Sequence, residues 1–92
     1  MRITAEISLY PLSDEPIPRI VAFIESLLEG RDVELVVNQM STQLRGDLDA
    51  VVACVQAALQ RSFSAGGSQV LVAKFLNADL PIADPPVLDL SA

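Results

Sequence analysis

The sequence predicts a single α+β domain whose elements follow the order βαββαβ. Four stretches alternate in the period of two that is typical of β-strands. Between them, two stretches repeat apolar residues at spacings of three and four, which is typical of a helix with one buried face. The chain has 92 residues, and a domain usually needs about 100–200, so the length allows only one domain.

The first strand is predicted over residues 3–10. Its apolar positions are Ile3, Ala5, Ile7 and Leu9, and they alternate with Thr4, Glu6, Ser8 and Tyr10. One face of this strand is therefore expected in the core and the other outside it. We expect Pro11 to end the strand because proline has no backbone N–H to donate to a sheet.

The first helix is predicted after the helix-start segment Ser13-Asp14-Glu15-Pro16, with regular helix from about Pro18. Its apolar stripe comprises Ile17, Ile20, Val21, Ile24, Leu27 and Leu28. Gly30 is a typical residue after a helix end.

The middle of the chain predicts two strands, over residues 32–38 and 41–45, joined by a short turn near residues 38–40. A second helix then begins at Asp47, whose side chain suits an N-cap, with Asp49 in its first turn. The buried stripe of this helix comprises Val51, Val52, Val55, Ala58, Leu59 and Phe63. Its end is predicted at Ala65-Gly66-Gly67.

The fourth strand is predicted over residues 68–77. It has apolar residues on both faces, so we expect both faces to be covered, at least in part. Residues 1–78 are then the folded domain, and residues 79–92 are an irregular, proline-rich C-terminal tail. The tail can pack along an edge of the domain through Leu80, Ile82, Val87 and Leu88.

This element order predicts the ferredoxin-like fold, an α+β sandwich with a four-stranded antiparallel sheet and two helices on one face. The first and third strands then lie side by side at the centre. The other sheet face carries Thr4, Glu6, Ser8, Tyr10, Val36 and one side of the last strand. Such a mixed, uncovered face on a small domain predicts self-association.

Composition excludes several kinds of function. The formal net charge is −6, and an acidic chain without a basic stripe repels nucleic acid. The chain contains no histidine and one cysteine, Cys54, which removes histidine-based catalysis and thiolate metal clusters. Cys54 is predicted as a buried structural thiol. The N-terminal residues do not show the charged-then-apolar pattern of a signal peptide, and no apolar run approaches the ~20 residues that span a bilayer, so we expect a cytoplasmic protein without membrane contact.

Three segments carry a resemblance to a known family. They are Ile7-Ser8-Leu9-Tyr10-Pro11-Leu12, then Met40-Ser41-Thr42 with Gly46, and Gly46-Asp47 with Asp49 and Val51. In their order and spacing over residues 1–78 the sequence resembles the thiamine-binding, YkoF-like family of small ferredoxin-like proteins. The resemblance implies a homodimer or homotetramer associated through sheet faces, and a pocket for thiamine or its hydroxymethylpyrimidine part. It implies no catalysis.

The candidate ligand-binding residues lie on the first strand and around the central turn. Glu6, Ser8 and Tyr10 share the sheet face away from the helices and offer a carboxylate, a hydroxyl and an aromatic ring to an aminopyrimidine or a thiazolium cation. By alternation Ser41, with Gln43, is expected on that same face. The set is completed by Asn38 and Thr42.

Each of these residues also has a structural interpretation. Ser8 and Tyr10 can line a subunit interface, Thr42 can be a plain strand residue, and Asn38 is typical of a turn. Asp47 and Asp49 are spaced like a carboxylate pair, but the start of a helix explains them, so no metal site is predicted.

The sequence therefore predicts a non-catalytic small-molecule-binding protein that acts as a homo-oligomer and needs no cofactor. Thiamine or a related hydroxymethylpyrimidine is the predicted ligand. The alternative is a structural or regulatory interaction module whose open sheet face binds a protein and no small ligand.

Overall fold

The computed structural model describes residues 1–30 and 32–89. The elements, in chain order, are β1 (Arg2–Pro11), α1 (Pro16–Leu28), β2 (Glu34–Val37), β3 (Thr42–Asp47), α2 (Leu48–Ser64) and β4 (Gln69–Leu76). The predicted order βαββαβ is confirmed.

The four strands form one antiparallel sheet in the order β2-β3-β1-β4. This confirms the ferredoxin-like sandwich, with β1 and β3 at its centre. In the register, Glu6 lies between Gln43 of β3 and Lys74 of β4. Directly paired residues share a face of the sheet. The open face, away from the helices, therefore carries these three side chains, as the alternation of polar residues predicts.

The core lies between the sheet and the two helices. From β1 it takes the apolar positions predicted from the sequence, and from α2 it takes Val51, Cys54, Val55 and Ala58. From α1 it takes Phe23 and Leu27, with Ile20 and Ile24 half-buried beside them. The predicted stripe was partly wrong because Ile17, Val21 and Leu28 are exposed. Compared with the predicted orientation, helix α1 is rotated about its axis so that the large side chain of Phe23 lies in the core.

Several element boundaries differ from the sequence prediction by one or two residues, and two of them have a clear local cause. Helix α1 begins two residues earlier than predicted, at Pro16, where proline suits the first helical turn. Strand β3 continues through Gly46 instead of ending before it. A Cβ at Gly46 would lie 3.0 Å from the carbonyl oxygen of Asp32 and 3.5 Å from Val51 Cγ2, so the strand needs glycine at this close approach.

Strand β4 differs most from its prediction. Both faces were expected to be covered, but Val70, Val72, Phe75 and Leu76 are each about half exposed. The element is an edge strand, and α2 covers mainly β3 and β1. Within the described residues, β4 presents apolar side chains to solvent on both of its faces.

Within the part of the chain that the structure describes, neither helix combines the length and the apolar character needed to cross a bilayer. Helix α2 ends at Ser64 with Ala65 as its C-cap, and the next two residues, Gly66 and Gly67, have positive φ angles of 94° and 79°. Glycine adopts this backbone conformation without the strain that a Cβ would cause.

Candidate functional site

A cavity opens where the two central strands differ in length. The pairing of β1 with β3 ends at Ile7 and Thr42, whereas β1 continues along β4 as far as Pro11. The β2–β3 turn and α1 enclose the space left beside the second half of β1, which has a volume of about 210 Å³. Its lining combines Ile7, Ser8, Leu9 and Tyr10 of β1, Ile20, Phe23 and Ile24 of α1, and residues 38–42.

Asn38 organises the turn at one side of this cavity. Its backbone N–H donates to the Ser41 carbonyl at 3.0 Å. Its side-chain Oδ1 accepts the backbone N–H groups of Met40 and Ser41, both at 3.0 Å. The carbonyl oxygen thus has both lone pairs occupied, and only the Nδ2 hydrogens remain for a ligand. The turn interpretation of Asn38 is therefore correct, and its predicted ligand contact can use only these donors.

Ser8 and Tyr10 lie at the mouth of the cavity. The Ser8 hydroxyl donates to the Met40 carbonyl over 3.4 Å, a long hydrogen bond that a better acceptor can replace. Tyr10 is 53% exposed and lines the same cavity. It offers an aromatic face against which a planar ring can stack.

Glu6 does not line this cavity. Its Oε2 accepts a hydrogen bond from the Ser41 hydroxyl at 3.0 Å, and its Oε1 lies 3.5 Å from Lys74 Nζ. Ser41 is therefore on the open face, as predicted, and connects Glu6 to the cavity. The two carboxylate oxygens of Glu6 therefore face Ser41 and Lys74 rather than the cavity.

Thr42 lines the cavity from the opposite side of the sheet, where it is 6% exposed. The cavity wall contributed by α1, namely Ile20, Phe23 and Ile24, was not predicted from the sequence. Ile20 and Ile24 belong to the predicted apolar stripe, but their spacing could not show which end of the sheet they cover. Five of the six predicted residues meet at one cavity, and its apolar wall comes from α1.

A second hollow lies on the open face beneath the segment that follows β4. The Thr4 hydroxyl donates to the Ala78 carbonyl at 2.8 Å and accepts the backbone N–H of Leu80 at 2.9 Å. Asp79 accepts a hydrogen bond from Arg45 Nε at 2.6 Å and lies 3.6 Å from Arg2. Residues 78–82, called the C-terminal strap, thus cross the sheet and leave a hollow of about 270 Å³. Leu76, Leu80 and Ile82 line it together with Thr4, Glu6, Gln43 and Lys74 of the sheet.

Ion pairing at the strap shifts two pKa values. The hydrogen bond from Arg45, with its positive charge, lowers the pKa of Asp79 below its ordinary value. The same contact raises the pKa of Arg45. Both shifts favour the charged pair.

Cys54 takes no part in either hollow. Its thiol is buried as predicted and donates to the Leu27 carbonyl at 3.4 Å. Burial raises the pKa of the thiol, which favours its protonated form over the reactive thiolate. Among residues 1–30 and 32–89, no three acidic, histidine or cysteine side chains are grouped to hold a metal ion.

The fold and the cavity define a class of protein: a small ferredoxin-like domain with a mainly uncharged cavity at one end of its sheet. A family profile described as "Thiamine-binding protein" matches residues 5–74, from β1 to β4. The chain belongs to this thiamine-binding protein family. Its description refers to binding and not to a reaction. Comparison with curated proteins gives no significant match.

Several solved structures are similar to this chain. A hypothetical protein from Methanocaldococcus jannascii has 24% sequence identity and a TM-score of 0.75, over 85% of this chain and 81% of that one. A domain of unknown function, DUF77, from Bacillus cereus has 23% identity and a TM-score of 0.73, over 86% and 78%. A Thermotoga maritima protein described as a "putative thiamine biosynthesis/salvage protein" has 14% identity and a TM-score of 0.63, over 95% and 91%. At these identities the likeness shows the fold.

Proposed function

We propose that this protein binds thiamine or a related hydroxymethylpyrimidine without transforming it, and that the ligand occupies the cavity beside the second half of β1. The observation that carries the proposal is the convergence of Ser8, Tyr10, Asn38, Ser41 and Thr42 on one cavity. Membership of the thiamine-binding family supports the same class of ligand.

The chemistry of the lining favours the pyrimidine part of the ligand. Within the cavity the lining side chains are apolar, hydroxyl or amide groups, and no carboxylate is among them. A neutral aminopyrimidine can stack on Tyr10 and contact Ile20 and Ile24 without an unpaired charge. The volume of about 210 Å³ is adequate for one six-membered ring, since an apolar cavity of about 150 Å³ binds benzene. A thiazolium cation would then extend outwards, toward Glu6.

Titration calorimetry with thiamine and with hydroxymethylpyrimidine tests the proposal. We expect both to bind, and Tyr10→Ala to weaken both by about tenfold, which corresponds to the loss of one stacked aromatic contact. Phe63→Ala is the matched control because Phe63, on α2, is also about half exposed but lies outside the cavity. Absence of heat and of a thermal shift with millimolar ligand would contradict the proposal, as would equal losses in the two variants.

We also propose that the protein associates into a homodimer or homotetramer through its sheet faces, and a different observation supports this. The open face beyond the strap presents Tyr10, Val70 and Val72, each about half exposed. An apolar patch of this kind favours burial against a second copy. The same patch supports the alternative function, an interaction module without a small ligand. In that case Tyr10→Glu would give monomers, while thiamine would produce no response in the wild type or in the variant.

Cytoplasmic location stays a prediction.

A further inference from the structure

The strand edge inside the cavity has backbone groups without a protein partner. Strand β1 pairs with β4 up to Pro11, but its pairing with β3 ends at Ile7. Residues 8–11 thus have a strand on one side and the cavity on the other. In an antiparallel strand, the N–H and C=O of one residue point to the same side, and successive residues alternate between sides.

Two backbone hydrogen bonds fix which residues point toward the cavity. The Leu12 N–H donates to the Ser68 carbonyl at 2.9 Å, so even-numbered residues of this strand point toward β4. The Leu48 N–H donates to the Met1 carbonyl at 2.9 Å, so odd-numbered residues point toward β3. Leu9 and Pro11 therefore point into the gap where β3 is missing. This also explains why proline is tolerated at the end of β1. A backbone N–H at position 11 would have no sheet partner, so the lack of this N–H in proline costs no hydrogen bond.

The β2–β3 turn does not supply partners for Leu9. Its N–H groups at Met40 and Ser41 are taken by Asn38 Oδ1, and the Ser41 carbonyl is taken by the Asn38 N–H. Within residues 1–30 and 32–89, no hydrogen bond joins the Leu9 backbone to this turn. Leu9 is nevertheless only 6% exposed and lines the cavity. The Leu9 backbone N–H and C=O face the cavity without a partner from the described part of the protein, and a bound molecule can satisfy both.

We propose that the N–H and C=O of Leu9 recognise a ring that has an exocyclic amino group next to a ring nitrogen. The N–H donates to the ring nitrogen, and the C=O accepts from the amino group, as a neighbouring strand would do at this edge. This inference rests on the proposed function and specifies its ligand: the 4-aminopyrimidine edge enters the gap left by β3. Ile20 and Ile24 contact the ring, and Tyr10 covers its outer side.

A pair of pyrimidines that differ in one substituent tests the inference. Hydroxymethylpyrimidine has the amino group, whereas its 4-oxo analogue has a carbonyl there and an N–H at the adjacent ring position, which reverses donor and acceptor. We expect the 4-oxo analogue to bind about tenfold more weakly or worse, since each backbone group would face its own kind. Equal affinity for the two rings would overturn the inference and leave the proposed function intact. Failure of both rings to bind would overturn both.

The protein side of the contact can be tested separately from the ligand. In Ser8→Ala the affinity for both rings should fall, but the preference for the amino ring should persist, because the preference arises from the backbone. Loss of the preference in this variant would assign it to the hydroxyl and overturn the inference. Replacing Leu9 by its α-hydroxy acid removes the N–H and keeps the side chain. We expect this replacement to abolish the preference, and an unchanged preference would count against the inference.

Discussion

At the residue scale, Asp79 illustrates how one side chain connects a chain end to the sheet. Its carboxylate accepts the hydrogen bond from Arg45 and lies beside Arg2, while Thr4 binds the backbone on both sides of it. The sequence predicts that residues 79–92 are a proline-rich tail that can pack along an edge of the domain. In the structure the first residues of that tail lie across the open face instead of along an edge.

The lowered pKa of Asp79 predicts how acid affects stability. A carboxyl group whose pKa is lower in the folded state adds stability above its unfolded pKa, about 3.9 for aspartate. That contribution is lost as the pH falls through the folded-state pKa. We therefore expect Asp79→Asn to unfold at lower urea concentration than the wild type at pH 6, with the difference shrinking below about pH 4.

The control for this experiment is Asp14→Asn, a change at an exposed carboxylate in the loop between β1 and α1. It should leave the wild-type dependence of stability on pH nearly unaltered. A constant difference between Asp79→Asn and the wild type from pH 6 to pH 3 would show that the ion pair contributes nothing.

At the element scale, two glycines are required for different physical reasons, namely close packing at Gly46 and a positive φ angle at Gly66. Gly46 lies in a strand against the backbone of Asp32, where space is short, whereas Gly66 has a φ of 94° and no atom within 4 Å of its missing Cβ. The sequence analysis assigned both to element ends. It was right for Gly66, and at Gly46 the strand continues because glycine allows close packing.

These two positions predict opposite responses to a larger side chain. At Gly66, Asn should be tolerated better than Ala, because Asn adopts positive φ more readily. At Gly46, Ala should cost about 1–3 kcal/mol through overpacking, and Asn should cost more. Urea unfolding of the four variants measures both comparisons. The same ranking of Ala and Asn at the two sites would contradict the distinction.

At the scale of the whole molecule, apolar side chains exposed on the open face support the proposed contact with a second copy. Val72 lies on that face, opposite Ser8 in the register, and is 48% exposed. Val52, on α2, is 43% exposed and lies away from that face. The two valines thus form a matched pair for testing which face associates.

We expect the wild type to sediment as an oligomer and Val72→Lys to dissociate at concentrations where the wild type stays associated. A lysine on this edge strand introduces a charge that must be desolvated at the contact. Val52→Lys should sediment as the wild type does. A monomeric wild type over the accessible concentrations, or dissociation only in Val52→Lys, would refute the sheet-face interface.

The sequence by itself determined the elements, their order and the residues of β1 that enter the core. These features follow from periodicities within single segments, such as the alternation from Ile3 to Leu9. It also indicated Ser8, Tyr10, Asn38, Ser41 and Thr42 as candidates.

Only the tertiary structure decided how long each strand is paired, because pairing depends on two segments at once. Strand β3 begins only at Thr42, which leaves the Leu9 backbone without a protein partner among the described residues, and α1 lies over that gap. The rotation of α1 toward Phe23, the exposure of β4 and the strap over Thr4 depend likewise on which surfaces meet. The spacing of residues within one segment contains no information about such contacts. The cavity therefore forms because β1 pairs over different lengths with β3 and β4, although the residues of these strands could be predicted from the sequence.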